Sequence, residues 1–200
     1  MPVAGLPFGG ARRSSFPVPG RGGNCPSLNG LPSPGWPVRF PRNPSPNTGL
    51  LLTELLTPDR IKVPLAAADK PAILRELTLL LAERAGAPLE PLLAAVLDRE
   101  QVLSTGIGHG IAIPHAKSPL VQDLMLVAGS HPTGVPFEAL DGEPVRLFFL
   151  LIGPDSAAGQ HVKALSRIAR LVRRESVRDA LLGAPDAATF NQVLVDAEER

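Results

Sequence analysis

The 200-residue sequence lacks the features that disulfide-bonded, multi-cysteine metal-binding and membrane-spanning proteins require. Its single cysteine, Cys25, excludes an internal disulfide framework and a multi-cysteine metal site, and it fits a reducing compartment. No apolar run reaches the roughly 18–20 residues that span a bilayer. Leu147 to Ile152, among the longest, has the length of a buried strand. These absences predict a soluble, cytoplasmic protein with no membrane insertion.

Negative charge is absent from the first 50 residues, which carry five arginines and no Asp or Glu. Residues 51–200 carry 15 Lys/Arg against 19 Asp/Glu, a net charge of −4. A mildly acidic body offers no clustered basic face for a polyanion. We therefore expect no nucleic-acid partner.

Regular structure is not expected in residues 1–49, which contain 11 of the 23 prolines and 9 of the 19 glycines. Such a composition cannot sustain helix or sheet ladders, nor bury enough apolar surface to offset the entropy of ordering the chain. Pro and Gly also interrupt every apolar stretch that a secretory signal would need. An organelle-targeting peptide is a weaker alternative. We predict a disordered tail at 1–49 and one folded domain at 50–200.

Residues 50–200 alternate between apolar strands and amphipathic helices. Asp69 is predicted to cap the first helix and Gly86 to end it, and Asp186 is predicted to cap the last. Strands are predicted at Ile61–Leu65, Ile111–Ile113, Leu124–Ala128 and Val145–Ile152, and later helices at Leu89–Glu100, Gln160–Arg174 and up to Ala197. Val162 is expected on the buried side of the helix that begins at Gln160. This order predicts an α/β fold, a mixed β-sheet flanked by helices on both faces.

The segment STGIGHGIAIPHAKS, residues 104–118, carries the most chemistry-specific pattern. Its alternating glycines, among them Gly106 and Gly108, let the backbone approach another group and expose N–H donors. Pro114 stiffens the backbone before His115, which is therefore predicted to be presented at the end of a strand. A neutral imidazole beside backbone amides suits a phosphoryl group that binds the ring. On composition alone, a tight loop without chemistry is the alternative.

The spacing around His115 is much more specific than its composition. The pattern begins with an acidic or amide residue, which is followed by six variable positions and then by an aliphatic and a small residue. After two further variable positions comes the run aliphatic-Ala-aliphatic-Pro-His-small. The residues that fill this signature are Glu100, Ile107, Gly108, Ile111, Ala112, Ile113, Pro114, His115 and Ala116. With the downstream blocks PFEALDGEPVRLFFLLIGP and HVKALSRIARLV, the sequence resembles the fructose/mannitol/nitrogen-type enzyme IIA (PTS EIIA type-2) domains of the bacterial phosphoenolpyruvate-dependent phosphotransferase system. The resemblance covers roughly Leu51–Glu199.

The resemblance implies a phosphocarrier with no cofactor and no metal. His115 would accept a phosphoryl group from a phosphohistidine on an HPr-like phosphocarrier protein and pass it onward. Arg99 would offer its guanidinium to the phosphoryl oxygens, and His161 would be the second histidine near the acceptor. Four residues of the loop would border the phosphoryl pocket: Ser104, Thr105, Gly106 and Gly108. Ala116 stands where many relatives have glycine, so its Cβ beside the ring is expected to affect the rate.

Helical spacing supports His161 independently, because it shares one face with Leu165 and Ile168 at the start of a predicted helix. A phosphoryl group there would meet the positive end of the helix. A histidine bonded to a nearby carbonyl is the alternative role. His109 and His131 are expected in a loop and a turn rather than as metal ligands, since no carboxylate or thiol lies at ligand spacing in the loop.

Two functions remain open on the sequence. One is a regulatory protein of the nitrogen type, whose phosphorylation state decides which target protein it binds. The other is a sugar-specific enzyme IIA that passes phosphate to an enzyme IIB. The loop STGIGHGIAIPH looks closest to stand-alone nitrogen-type members, which favours the regulatory function. The sequence names no target and leaves open whether the domain forms a homodimer.

Overall fold

A computed structural model describes residues 50–199, so the predicted tail at 1–49 lies outside the described residues. The helices are α1 (Leu52–Leu55), α2 (Lys70–Ala85), α3 (Leu89–Val102), α4 (Ala158–Val172), α5 (Glu175–Leu182) and α6 (Ala187–Glu198), with short 3-10 turns at Pro58–Arg60 and Asp155–Ala157. The strands are β1 (Ile61–Lys62), β2 (Gly106–Gly108), β3 (Ile111–Ala112), β4 (His115–Lys117), β5 (Met125–Val135) and β6 (Val145–Gly153). Between residues 50 and 199, no helix combines the length and apolarity needed to cross a membrane.

The six strands form one mixed sheet built around β6. The order is β1-β5-β6-β3-β2, and β4 pairs with β6 beyond the end of β3. β5 runs antiparallel to β6, whereas β3 and β4 both run parallel to it. β1 is parallel to β5, and β2 is antiparallel to β3. The mixed sheet predicted from the sequence is confirmed.

Alternation along β6 divides the interior into two cores, because successive strand residues point to opposite faces. Phe148 and Leu150 pack in a core with the apolar residues of α2 and α3. Phe149 and Leu151 pack in a second core with residues of α1, α4, α5 and α6. The prediction of helices on both faces of the sheet is therefore confirmed.

The predicted helix ends are present where the local sequence placed them. The Asp69 carboxylate accepts a hydrogen bond from Ala72 N at 2.9 Å, which caps α2. Gly86 ends that helix with φ at +63°, a left-handed conformation that costs glycine little. The Asp186 carboxylate caps α6 by accepting from Thr189 N at 2.8 Å.

The predicted strand at Ile61–Leu65 is wrong in extent. Only Ile61–Lys62 pairs with β5, because Pro64 follows and has no N–H to donate to a ladder. Leu65 N donates once more to Ser130 O at 2.8 Å, beyond the strand. The sequence run was apolar enough for a longer strand, but the proline ends it.

The helix predicted at Gln160–Arg174 is present as α4, Ala158–Val172, but the helix that follows it, α5, was not predicted. The guanidinium of Arg178 donates from Nη1 to the carbonyl oxygens of Val172 and Arg173, at 3.0 and 2.9 Å, and so satisfies the end of α4. The chain then restarts as α5, which buries Val177 and Leu181. Apolar periodicity does not reveal a side-chain cap of this kind.

The prediction for Val162 is also wrong, since its side chain is 66% exposed. The buried stripe of α4 contains His161, Ala164, Ile168 and Val172 instead. The inward position of His161 that the sequence predicts is confirmed, since His161 is 6% exposed.

The carboxylate of Glu198, near the end of α6, joins three helices. It accepts from Leu52 N at 2.9 Å, and from Thr53 N and Oγ1 at 3.0 and 2.9 Å, which satisfies the first turn of α1. Its other partner is Arg167 Nε of α4, at 2.8 Å. The Glu198 side chain is only 4% exposed, so these contacts lie in a poorly solvated place.

We predict that Glu198→Ala lowers the free energy of unfolding by about 3 kcal/mol, because it leaves a guanidinium and two backbone N–H groups without an acceptor. Urea unfolding at pH 7 measures this. The matched control is Glu90→Ala, which breaks the 2.7 Å ion pair with Arg75 on the exposed surface and should cost far less. Equal losses in the two variants would contradict the role given to Glu198.

Candidate active site

His115 begins β4 and lies at the edge of the sheet. It pairs with Leu151 of β6, and Leu151 N donates to Pro114 O at 2.9 Å. Pro114 is buried and His115 is half-buried. The histidine was expected at the end of a strand; it lies instead at the junction of β3 and β4, two short strands that share β6 as their parallel partner. Pairing with β6 therefore holds its backbone.

One hydrogen bond determines the tautomer of the His115 ring. Nδ1 lies 2.9 Å from Ile113 O, and a carbonyl oxygen can only accept, so Nδ1 carries the proton. The other ring nitrogen, Nε2, then keeps a free lone pair. Burial lowers the pKa of His115, and the charge of Arg99 lowers it further, against the opposing effects of the Ile113 bond and of Glu100. The ring is therefore neutral near pH 7 and able to act as a nucleophile.

His161 lies beside His115, on the first turn of α4. The two ring centroids are 5.7 Å apart, with the ring planes at 67°. His161 is 6% exposed, and its buried Nδ1 has no hydrogen-bond partner among residues 50–199. Burial, with the neighbouring charges of His115 and Lys117, lowers its pKa to about 4. The ring stays neutral at physiological pH, and one of its polar atoms is free for an incoming group.

Two cationic side chains, from different elements, lower the pKa values of these two histidines. Arg99, in the last turn of α3, donates from Nη1 to Leu103 O at 3.0 Å, and its charge reaches His115. Lys117 lies two residues after His115 in β4, so both side chains are on one face of the strand. Its Nζ forms an exposed 3.0 Å ion pair with Asp155, and its charge reaches His161. Lys117 was not predicted from the sequence, although its place two residues after His115 in a strand is a signal that could have found it.

Alternation of side chains along β4 also shows where the Cβ of Ala116 lies, which was expected beside the His115 ring. Its side chain is 4% exposed and packs in the core with α2 and α3, on the face of β4 opposite to His115. The Cβ that replaces a hydrogen atom at this position therefore does not lie beside the ring of His115.

The glycines of the loop are required by packing and by backbone conformation. A Cβ at Gly106 would lie 2.8 Å from the Cα and Cβ of Ala139, so the segment around Ala139 can pack directly on β2. Gly108 has φ at +89°, which L-residues rarely adopt. His109 follows in the turn between β2 and β3 and is exposed, as expected. That these glycines line the phosphoryl pocket stays a prediction.

The hydroxyls of Ser104 and Thr105 are already bonded within the protein. Ser104 Oγ donates to Phe137 O at 2.9 Å, and Thr105 Oγ1 donates to Glu100 Oε2 at 2.6 Å. Thr105 is also buried. Both residues hold the start of β2 in place, so contact with a phosphoryl group at the pocket edge is a prediction that requires these hydroxyls to change partners.

His131 lies inside β5 rather than beyond its end. Its side chain is buried, and Nδ1 accepts from Gly134 N at 2.9 Å across a local irregularity of the strand. In the part of the chain from 50 to 199, no three His, Cys, Asp or Glu side chains come together to hold a metal ion. His131 therefore has a local role in shaping the strand.

Comparisons with known proteins agree with the fold and with the signature. Residues 54–197 match the family model for the EIIA 2 component of the phosphoenolpyruvate-dependent sugar phosphotransferase system. The chain is 36% identical over 143 residues to a nitrogen regulatory protein of Bradyrhizobium diazoefficiens, and the match covers 72% of this chain and 94% of that relative. It is 39% identical over 135 residues to the fructose-specific EIIABC component of Bacillus subtilis, covering 66% of this chain but only 21% of that protein.

A solved structure gives the same result. The crystal structure of nitrogen regulatory protein IIA-Ntr from Neisseria meningitidis superposes with a TM-score of 0.68 and 29% identity, covering 72% of this chain and 98% of that one. The family match extends over most of the described residues and includes the complete histidine signature. This chain belongs to the EIIA type 2 family of the phosphoenolpyruvate-dependent phosphotransferase system.

Proposed function

We propose that Nε2 of His115 accepts a phosphoryl group from a phosphohistidine on an HPr-like protein and passes it to a further acceptor. The observation that carries this proposal is the bond from Nδ1 to Ile113 O, which leaves Nε2 as the free nucleophilic atom. The half-buried position of His115 supports it, because one side of the ring is accessible to a partner protein. Membership of the EIIA type 2 family is consistent with a phosphocarrier role.

The proposed phosphoryl transfer between the two histidines needs no cofactor. The Nε2 lone pair of His115 attacks phosphorus while the P–N bond to the donor histidine breaks, and that electron pair returns to the donor ring. The proton on Nδ1 of His115 stays in place, bonded to Ile113 O. The phosphorylated ring therefore carries a positive charge beside the phosphoryl oxygens, which makes it a good leaving group for onward transfer.

The surroundings of His115 suit the negative charge that arrives with the phosphoryl group. The charges of Arg99 and Lys117 both act on the histidine pair. The α4 N-terminus, which carries His161, adds the positive end of a helix dipole. His161 is neutral and offers its unpartnered Nδ1. In our proposal Arg99 and His161 contact the phosphoryl oxygens, and Lys117 is a third contact.

We further propose that the protein is regulatory, of the nitrogen type, with a target protein whose binding depends on the phosphorylation of His115. The match to a nitrogen regulatory protein extends over 94% of that relative and supports this choice. The sugar-specific alternative, transfer to an enzyme IIB, is favoured by the 39% identity to a fructose-specific component. The two functions differ in what happens after His115 is phosphorylated.

The acceptance step is tested with phosphoenolpyruvate, enzyme I and an HPr-like protein. We expect one acid-labile phosphate per chain, and none in His115→Ala. The matched control is His109→Ala, an exposed histidine of the neighbouring turn, which should be phosphorylated like the wild type. Label in His115→Ala at the wild-type level would refute the proposal.

The same phosphorylated protein then separates the two functions. A nitrogen-type regulator should keep its phosphate when a fructose-type enzyme IIB is added. Rapid transfer to that enzyme IIB, with sugar phosphorylation downstream, would instead establish the sugar-specific function.

Arg99→Gln and His161→Ala should each slow phosphoryl transfer by about 10- to 100-fold, because each removes a contact to the charge of the transferred group. Quench-flow measurement of label transfer gives the rates. Arg170→Gln is the control, since Arg170 is exposed on α4. Wild-type rates in both variants, with unchanged melting temperatures, would leave Arg99 and His161 with structural roles only.

The low pKa of His161 predicts that stability depends on pH. The pKa is about 4 in the folded protein and about 6.5 in the unfolded chain, so the unfolded state binds more protons between these values. Stability is therefore lost as pH falls below about 6.5. Between pH 7.5 and pH 5, wild type should lose about 2 kcal/mol more than His161→Gln in urea unfolding. An equal loss in the two proteins would contradict the burial of a neutral His161.

A further inference from the structure

A continuous path of hydrogen bonds and peptide groups runs from Lys70 to the ring of His115. Lys70 Nζ lies 3.0 Å from Glu100 Oε1. The Glu100 carboxylate accepts from Thr105 N at 3.0 Å and from Thr105 Oγ1 at 2.6 Å. Thr105 O accepts from Ile113 N at 3.0 Å, and Ile113 O accepts from His115 Nδ1 at 2.9 Å. We call these five residues the relay.

The carboxylate in the middle of the relay is unusual because it is buried. Glu100 is 6% exposed, and burial of a carboxylate is costly unless a counter-ion and donors surround it. Here both oxygens are satisfied, by Lys70 and by Thr105. Lys70 is itself held by Glu138 at 2.7 Å and by the ring of Phe137, whose centroid lies 4.8 Å from Nζ. The relay is therefore anchored at its far end.

The segment that the relay holds is rich in glycine. Residues 104–110 contain three glycines, and glycine gives the backbone more conformational freedom than any other residue. Glu100 ties Thr105 to the last turns of α3, and the Thr105–Ile113 bond then ties this loop to β3. Ile113 is the residue whose carbonyl fixes the proton of His115. A shift of the loop would therefore be transmitted to the acceptor ring.

We propose that Lys70 and Glu100 are positioning residues that set the orientation and tautomer of His115 through Thr105 and Ile113. The proposal rests on the proposed role of His115 as phosphoryl acceptor. Neither side chain touches the reacting atoms. Pairing with β6 holds the residues on either side of Ile113, and Thr105 O holds Ile113 N. When Glu100 releases Thr105, this last contact loosens, the Ile113 carbonyl can shift, and the ring can adopt the tautomer in which Nε2 carries the proton. In that form Nε2 has no lone pair for attack on phosphorus.

A second Glu–Lys pair in the domain provides the matched control. Glu76 pairs with Lys62 Nζ at 2.7 Å and accepts from Ala67 N at 3.0 Å and from Ala66 N at 3.2 Å. It thus combines a lysine partner with backbone donors, as Glu100 does. None of its hydrogen bonds among the described residues belongs to the relay. A purely structural effect of losing a carboxylate should appear in both variants.

The experiment compares Glu100→Ala, Glu100→Gln and Glu76→Ala in the full chain. Nitrogen-15 NMR of the His115 ring in the unphosphorylated protein gives the tautomer, and label transfer from a phosphorylated HPr-like protein gives the rate. For Glu100→Ala we expect a mixture of tautomers and transfer about tenfold slower, because displaced catalytic groups lose rate steeply. Glu100→Gln keeps an oxygen that accepts from Thr105 N and should stay within about threefold of wild type. Glu76→Ala should keep both the tautomer and the rate.

The proposal is overturned if Glu100→Ala keeps the proton on Nδ1 and transfers at the wild-type rate. It is equally overturned if Glu76→Ala changes the ring and the rate as much as Glu100→Ala does. Should Glu100→Ala fail to fold, Glu100→Met keeps the length of the side chain but removes both acceptors of Thr105, and a wild-type tautomer with a wild-type transfer rate in that variant would also refute it. A wild-type protein that takes no phosphate would refute the proposed function instead, while the ring spectra would still test the relay.

Discussion

The hydrogen bond from His115 Nδ1 to Ile113 O is the constraint on which the site depends, because it decides which ring nitrogen is free. An imidazole without such a bond exchanges its proton between two positions, and only one of them leaves Nε2 nucleophilic. The bond joins residues only two apart, so its geometry follows the local backbone. Pro114 restricts that backbone, and pairing with β6 holds the residues on either side of it.

Because helices cover both faces of the sheet, side chains from different helices lie near the ring of His115. Arg99 belongs to α3, which packs on one face of the sheet, while His161 belongs to α4 on the other. His115 lies where β4 pairs with β6, and among residues 50–199 β4 has no second strand as a neighbour. Groups from both layers therefore meet at this edge. A site in the middle of the sheet would be accessible from one face at most.

Local signals were the part of the structure that the sequence predicted well. Helices begin at the caps Asp69 and Asp186, and one helix ends at Gly86. The contacts that form these caps join residues close in sequence, so they follow directly from residue type and spacing. The buried strands around β6 were equally clear from apolar runs. The signature indicated His115 as a candidate acceptor, and the structure adds what the signature does not contain, namely the tautomer of the ring.

Contacts between distant residues were not predictable in this way. Lys70 and Glu100 are 30 positions apart and meet only because α2 packs against α3. The Arg178 cap on α4 depends on how the chain turns between two helices. The exposure of Val162 was not predicted either, because its apolar side chain suggested a place on the buried face of α4. The buried contacts of Lys70, Glu100 and Thr105 are therefore known from the structure and not from the sequence pattern.

The central claim is that the phosphoryl group is carried on Nε2 of His115 while Nδ1 keeps its proton. The most direct test is phosphorus-31 and nitrogen-15 NMR of the phosphorylated, nitrogen-15-labelled protein, in which the phosphorus couples to the nitrogen that carries it. The account predicts coupling to Nε2 of His115 and a protonated Nδ1 in the same ring. Coupling to Nδ1 of His115, or to either nitrogen of His161, would contradict it.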